Sequence, residues 1–125
     1  MSPWLLVAAL AGGVGAGLRY LVDRLLTPAG GMRFPWGILV VNVSGSFALG
    51  VLTGLGAAIA PELSLVLGLG LLGGYTTFST VSVETVLLAQ RKRRRDAALN
   101  LFGTLVLALL AAGFGLLLGG GIAAA

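Results

Sequence analysis

Four long apolar stretches, almost bare of charge, constrain this 125-residue chain more than any other feature. A helix needs about 20 apolar residues to cross the hydrocarbon of a bilayer. The stretches cover residues 4–26, 34–60, 63–90 and 97–119. The second and fourth carry no charge, and the third carries only Glu84. The first carries Arg19, Asp23 and Arg24 near its end, where long cationic side chains can reach the interface. Charged residues make up 10% of the chain, against about 25% in soluble domains. Mean hydropathy is +1.05. Lipid is therefore the solvent, and residues 1–125 read as one all-α domain of four transmembrane helices. The apolar start also resembles a secretory leader covering Trp4 to Leu18, but no positive charge precedes Trp4, so we expect a retained span.

Composition narrows the chemistry. The chain has no cysteine, which removes disulfides and thiolate metal sites, and no histidine, the commonest general base and metal ligand. An enzyme is not expected. Its 21 glycines suit close approach of helix backbones in lipid, with Gly12, Gly13, Gly15, Gly17, Gly45, Gly50 and Gly54 as candidates. The net charge of +4 comes mostly from Arg91-Lys92-Arg93-Arg94-Arg95. Such a run can bind nucleic acid. Between two spans it reads instead as a cytoplasmic anchor facing lipid headgroups.

Buried polar residues are costly in lipid and mark function. The second stretch carries Asn42, Ser44 and Ser46; the third carries Thr76, Thr77, Ser79, Thr80, Ser82, Glu84 and Thr85. A lone Ser or Thr usually bonds its own helix. The cluster Gly73-Gly74-Tyr75-Thr76-Thr77-Phe78-Ser79-Thr80 is different, because two glycines beside two threonines form weak helix. It predicts a break near the membrane midplane, tolerated where backbone groups bind an ion or line a cavity. Hydroxyl and amide donors suit a small anion, as does the positive edge of a phenyl ring; freed carbonyls suit a hard cation. These residues leave open an anion path, a cation site, or both.

Three motifs carry a resemblance. Gly12-Gly13-Val14-Gly15-Ala16-Gly17-Leu18-Arg19-Tyr20, Phe34-Pro35-Trp36-Gly37-Ile38-Leu39-Val40-Val41-Asn42, and Gly73 through Thr80 stand in order over spans one to three. The chain resembles the small dual-topology fluoride channels, the Fluc or CrcB family. The resemblance implies a passive fluoride-selective channel subunit in the plasma (inner) membrane, exporting fluoride from the cytoplasm. It implies two chains packed antiparallel. Carbonyls of Gly73 and Thr76 would hold a structural Na⁺ shared by both. Asn42, Phe78, Ser79, Thr80, Glu84 and Thr104 would belong to the fluoride pathway, with Arg19 at the vestibule.

The chain departs from the family pattern at two points. Val81 stands where the family has a second Phe, and Asn100 and Thr104 stand where its fourth span usually carries Tyr and Ser. Alternatives are a non-conducting partner subunit of a heterodimeric channel, which Val81 favours, and a small multidrug-type exporter, which lacks here the carboxylate it needs in span one. Orientation follows from charge. Arg19, Arg24, Arg33 and residues 91–95 hold all eight cations and lie on one side, with loops one and three. The positive-inside rule puts that side in the cytoplasm and both termini outside. So one-sided a chain inserts one way, which predicts a heterodimer with a homologous subunit of opposite bias rather than a homodimer.

Overall fold

The structure, a computed structural model, describes residues 2–27 and 34–125. Most of the first loop, residues 28–31, and Arg33 of the charge count lie outside the described residues. Four helices are long and apolar enough to cross a membrane: Pro3–Leu26, Trp36–Ala58, Pro61–Gln90 and Arg94–Ala124. No strand occurs among the described residues. The all-α four-span architecture expected from hydropathy is what forms.

Local chemistry sets the ends. Ser2 accepts a hydrogen bond from the Trp4 N–H, and Pro3 fills the first helical position, where its missing donor costs nothing. At the other end of span one the Thr27 hydroxyl donates to Asp23 (3.1 Å) and accepts from the Gly37 N–H (2.8 Å), joining the first two spans. Span two closes in a 3₁₀ turn, Gly56–Ala58, with Gly56 at φ 53°. The second connection was expected at Pro61-Glu62. It lies two residues earlier, at Ile59 and Ala60, because Pro61 is the first helical residue of span three.

Span three is interrupted at Thr76–Phe78, and Thr76 is extended at φ −79°, ψ 155°. Its first half contains a widened π-helical segment, Leu65–Leu72; span four contains another, Leu99–Gly103. Span three ends in a two-bond cap. The Arg93 N–H donates to the Leu88 carbonyl (2.9 Å) and the Lys92 N–H to that of Ala89 (3.0 Å). Lys92 occupies the left-handed position at φ 63°. Span four starts earlier than expected, inside the basic run at Arg94, and Arg93 pairs with Asp96 across the junction.

Two glycine seams hold the bundle. Span one lies along the first half of span three, and span two along span four. In the first seam a side chain at Gly74 would run into the backbone of Gly12, and one at Gly15 into that of Leu71. In the second, Gly50 and Gly54 face the backbone at Ala112 and Leu116, while Gly115 and Gly119 face that at Phe47 and Val51. These are small-residue contacts spaced four apart, as lipid-embedded helices use. Gly45 has a separate task, since it leaves room for Thr76 and the Tyr75 ring at the break. A side chain at Gly13 or Gly17 would meet no neighbour among the described residues.

Candidate functional site

The break and the second seam meet at a cavity of about 520 Å³, lined by Asn42, Ser46, Thr76, Thr77, Phe78 and Thr104 among others. Asn42 organises it. The Thr77 N–H, released by the break, donates to Asn42 Oδ1 at 2.9 Å in a buried setting. Only the amide oxygen can accept from an N–H, so this bond fixes which way the amide points. Asn42 Nδ2 is left with two protons, buried and without a partner on the protein. The residue is 7% exposed and lines the cavity. A buried donor of this kind is costly unless something accepts from it. The hydroxyl of Thr104, also 7% exposed, is a second unpartnered group on the lining.

The same rearrangement releases two carbonyls. In an unbroken helix the Thr77 N–H would serve the Gly73 carbonyl, and the Thr80 N–H that of Thr76. Here Thr77 turns to Asn42, and the Thr80 N–H turns to the Thr77 hydroxyl at 3.2 Å. Gly73 and Thr76 thus lose their usual donors. Their carbonyls lie at the C-terminal end of one half-helix, where the peptide dipoles sum to partial negative charge. The second half, Ser79–Gln90, begins at the cavity edge and presents partial positive charge. One interruption therefore presents a cation-favouring end and an anion-favouring end.

Of the residues singled out in the sequence, the structure brings Asn42, Thr76, Phe78 and Thr104 together on the cavity wall. Phe78 is 72% exposed, a large ring turned away from its own chain. Ser79 and Thr80 lie outside the lining, in a hydroxyl cluster around Thr77 Oγ1 at 3.1 and 3.3 Å. Gly73 sits exposed beyond it, and Glu84 is half-buried farther along the second half-helix. Sequence reasoning named Ser46 and Thr77 among the buried polar residues but left them out of the fluoride pathway, although Ser46 stands one turn from Asn42 and so had to share its face. It also gave no role to Asn100, which is fully buried behind the wall.

Four spans, an interrupted third helix and a largely apolar cavity with a few polar groups beside the interruption define a small multi-pass membrane protein with a broken span. A family described as "CrcB-like protein, Camphor Resistance (CrcB)" matches residues 6–116. This chain belongs to the CrcB family. Over 123 residues it is 48% identical to the fluoride-specific ion channel FluC 1 of Leifsonia xyli subsp. xyli (strain CTCB07), spanning 96% of this chain and 90% of that protein. Over 107 residues it is 49% identical to the fluoride-specific ion channel FluC of Shewanella sp. (strain ANA-3), spanning 84% of this chain and 86% of that one. The family expected from the three motifs is the family found.

Proposed function

We propose that the chain is a subunit of a passive, fluoride-selective channel and not an enzyme. The observation that carries this reading is Asn42 Nδ2, a buried donor without a protein partner whose orientation the Thr77 N–H fixes. Fluoride, small and strongly basic in hydrogen bonding, takes such a donor in place of water. Thr104 adds a hydroxyl, and the edge of the Phe78 ring offers partial positive charge. Selectivity arises from a narrow path of strong donors, which repay dehydration of a small anion better than that of a large one. In a cell with a negative interior such a path lets out fluoride that entered as the neutral acid. Support comes also from the names of the relatives, both fluoride-specific channels. The test is flux from liposomes with fluoride or chloride as the sole internal halide. Fluoride efflux with little chloride efflux supports the reading; equal fluxes overturn it.

The working unit in this reading is an antiparallel pair of chains in the plasma membrane. The exposed Phe78 ring and exposed Gly73 suit a face covered by a second chain. The released carbonyls of Gly73 and Thr76 fit a Na⁺ held between the chains, each chain giving half of an all-oxygen site. Bound there, the ion would offset the partial negative charge of the released carbonyls and tie the two breaks together. The one-sided basic residues support a cytoplasmic side for loops one and three and favour a heterodimer. A second reading, a non-conducting partner subunit, draws on Val81, which gives the cavity wall an aliphatic group where the family pattern has a ring.

A further inference from the structure

The second half of span three, Ser79–Gln90, has little to hold it. Its neighbours are chiefly the first turns of span four, and it stands apart from both glycine seams. Asn100 bridges that gap. It lies in the widened segment Leu99–Gly103 and is 0% exposed. Its Nδ2 donates to Thr85 Oγ1 at 2.9 Å and to the Val81 carbonyl at 3.3 Å. Thr85 in turn donates to the same carbonyl at 2.7 Å, closing a three-membered network. Both partners of Asn100 are acceptors here, so its orientation is fixed: Nδ2 faces span three and Oδ1 faces away, buried and without a partner.

The placement matters because Asn100 links the two elements that carry the cavity walls. Val81 and Phe78 form one wall, from the second half of span three; Thr104, one turn beyond Asn100, belongs to the other. We propose that Asn100 is a positioning residue of the ion path: its amide holds the second half of the broken span against span four and so sets the spacing of the cavity walls. Asn100 is not itself on the lining and touches no ion. The inference rests on the fluoride-path reading above. It also joins the two departures from the family pattern, since the residue in the place of the Tyr bonds the backbone of the residue in the place of the Phe.

The test uses the full chain in planar bilayers, with its partner subunit where the chain alone is silent. Fluoride-over-chloride permeability ratio and detergent melting temperature are read for wild type, Asn100→Leu, Thr85→Val and the double variant. Asn100→Leu, which removes both bonds of the bridge, should lower the ratio roughly tenfold; Thr85→Val, which leaves the bond to the Val81 carbonyl, should lower it roughly threefold, and the double variant should fall no further than Asn100→Leu. A ratio within twofold of wild type in Asn100→Leu, with only the melting temperature lowered, makes Asn100 structural and overturns the proposal. If Asn100→Leu fails to assemble, Thr85→Val decides by the same ratio. Wild type that passes no fluoride in either setting overturns the reading of the cavity, and this inference with it.

Discussion

Asn42 has two separable ends, because one atom of its amide supports the break and the other is left buried without a partner in a residue that lines the cavity. Asn42→Asp keeps an acceptor for the Thr77 N–H and, when ionised, removes the donor. That variant should still assemble and lose fluoride flux by at least about tenfold, the scale of one hydrogen bond to a charged group. Asn42→Leu also strands the Thr77 N–H and should cost about 1–3 kcal/mol of stability as well. Normal flux in the Asp variant would remove Asn42 from the path. Phe78→Ile removes an exposed ring and should leave assembly intact while lowering flux roughly three- to tenfold, the scale of one ring-edge interaction. Asn42 was legible in the sequence because an amide among valines in a span needs a reason. Thr77 was legible as a member of the weak-helix cluster, but its task was not: only the fold shows its N–H turned to Asn42 and its hydroxyl serving the Thr80 N–H.

Among the elements, the broken span shows where glycine is required. The sequence points to Gly73 as the sensitive position, with Gly73→Val expected to disturb the break. The structure moves that sensitivity one residue on: a Cβ at Gly73 meets its nearest atom at an ordinary 3.6 Å, whereas one at Gly74 collides with the Gly12 backbone. Gly74→Val should therefore destabilise the assembly far more than Gly73→Val, by several kcal/mol of forced backbone shift, as read by thermal melting in detergent. At the end of the same span, Lys92→Gly should raise stability by about 1 kcal/mol, since Lys92 holds a left-handed turn that glycine adopts freely. The existence of the spans and the break was legible, because hydropathy and the Gly-Gly-x-Thr-Thr pattern report lipid and helix weakness directly. The start of span four was not: hydropathy marks where lipid ends, whereas the hydrogen-bond ladder runs on into water through Arg94 and Arg95. The pairing of spans was also hidden, for a glycine shows that a backbone comes close without showing whose.

At the scale of the molecule, the charge split governs insertion. Membrane-impermeant labelling of tagged termini in intact cells should find both outside, and the basic loop at 91–95 should be protected. Equal labelling from the two sides, with fluoride resistance restored by this chain alone, would replace the heterodimer with a homodimer. The seams carry a further consequence, for the order of synthesis. Span one has its main partner in span three, and span two in span four, so each main pairing skips a helix. While the ribosome is still making the chain, the first two helices are joined by the bond between Thr27 and Gly37, and the glycine face of the second waits without its partner. Nothing closes over Gly50 and Gly54 until the last helix has been delivered. A transcript cut short after the third helix would leave a notched surface with no partner of its own, ready to be recognised and cleared by membrane proteases.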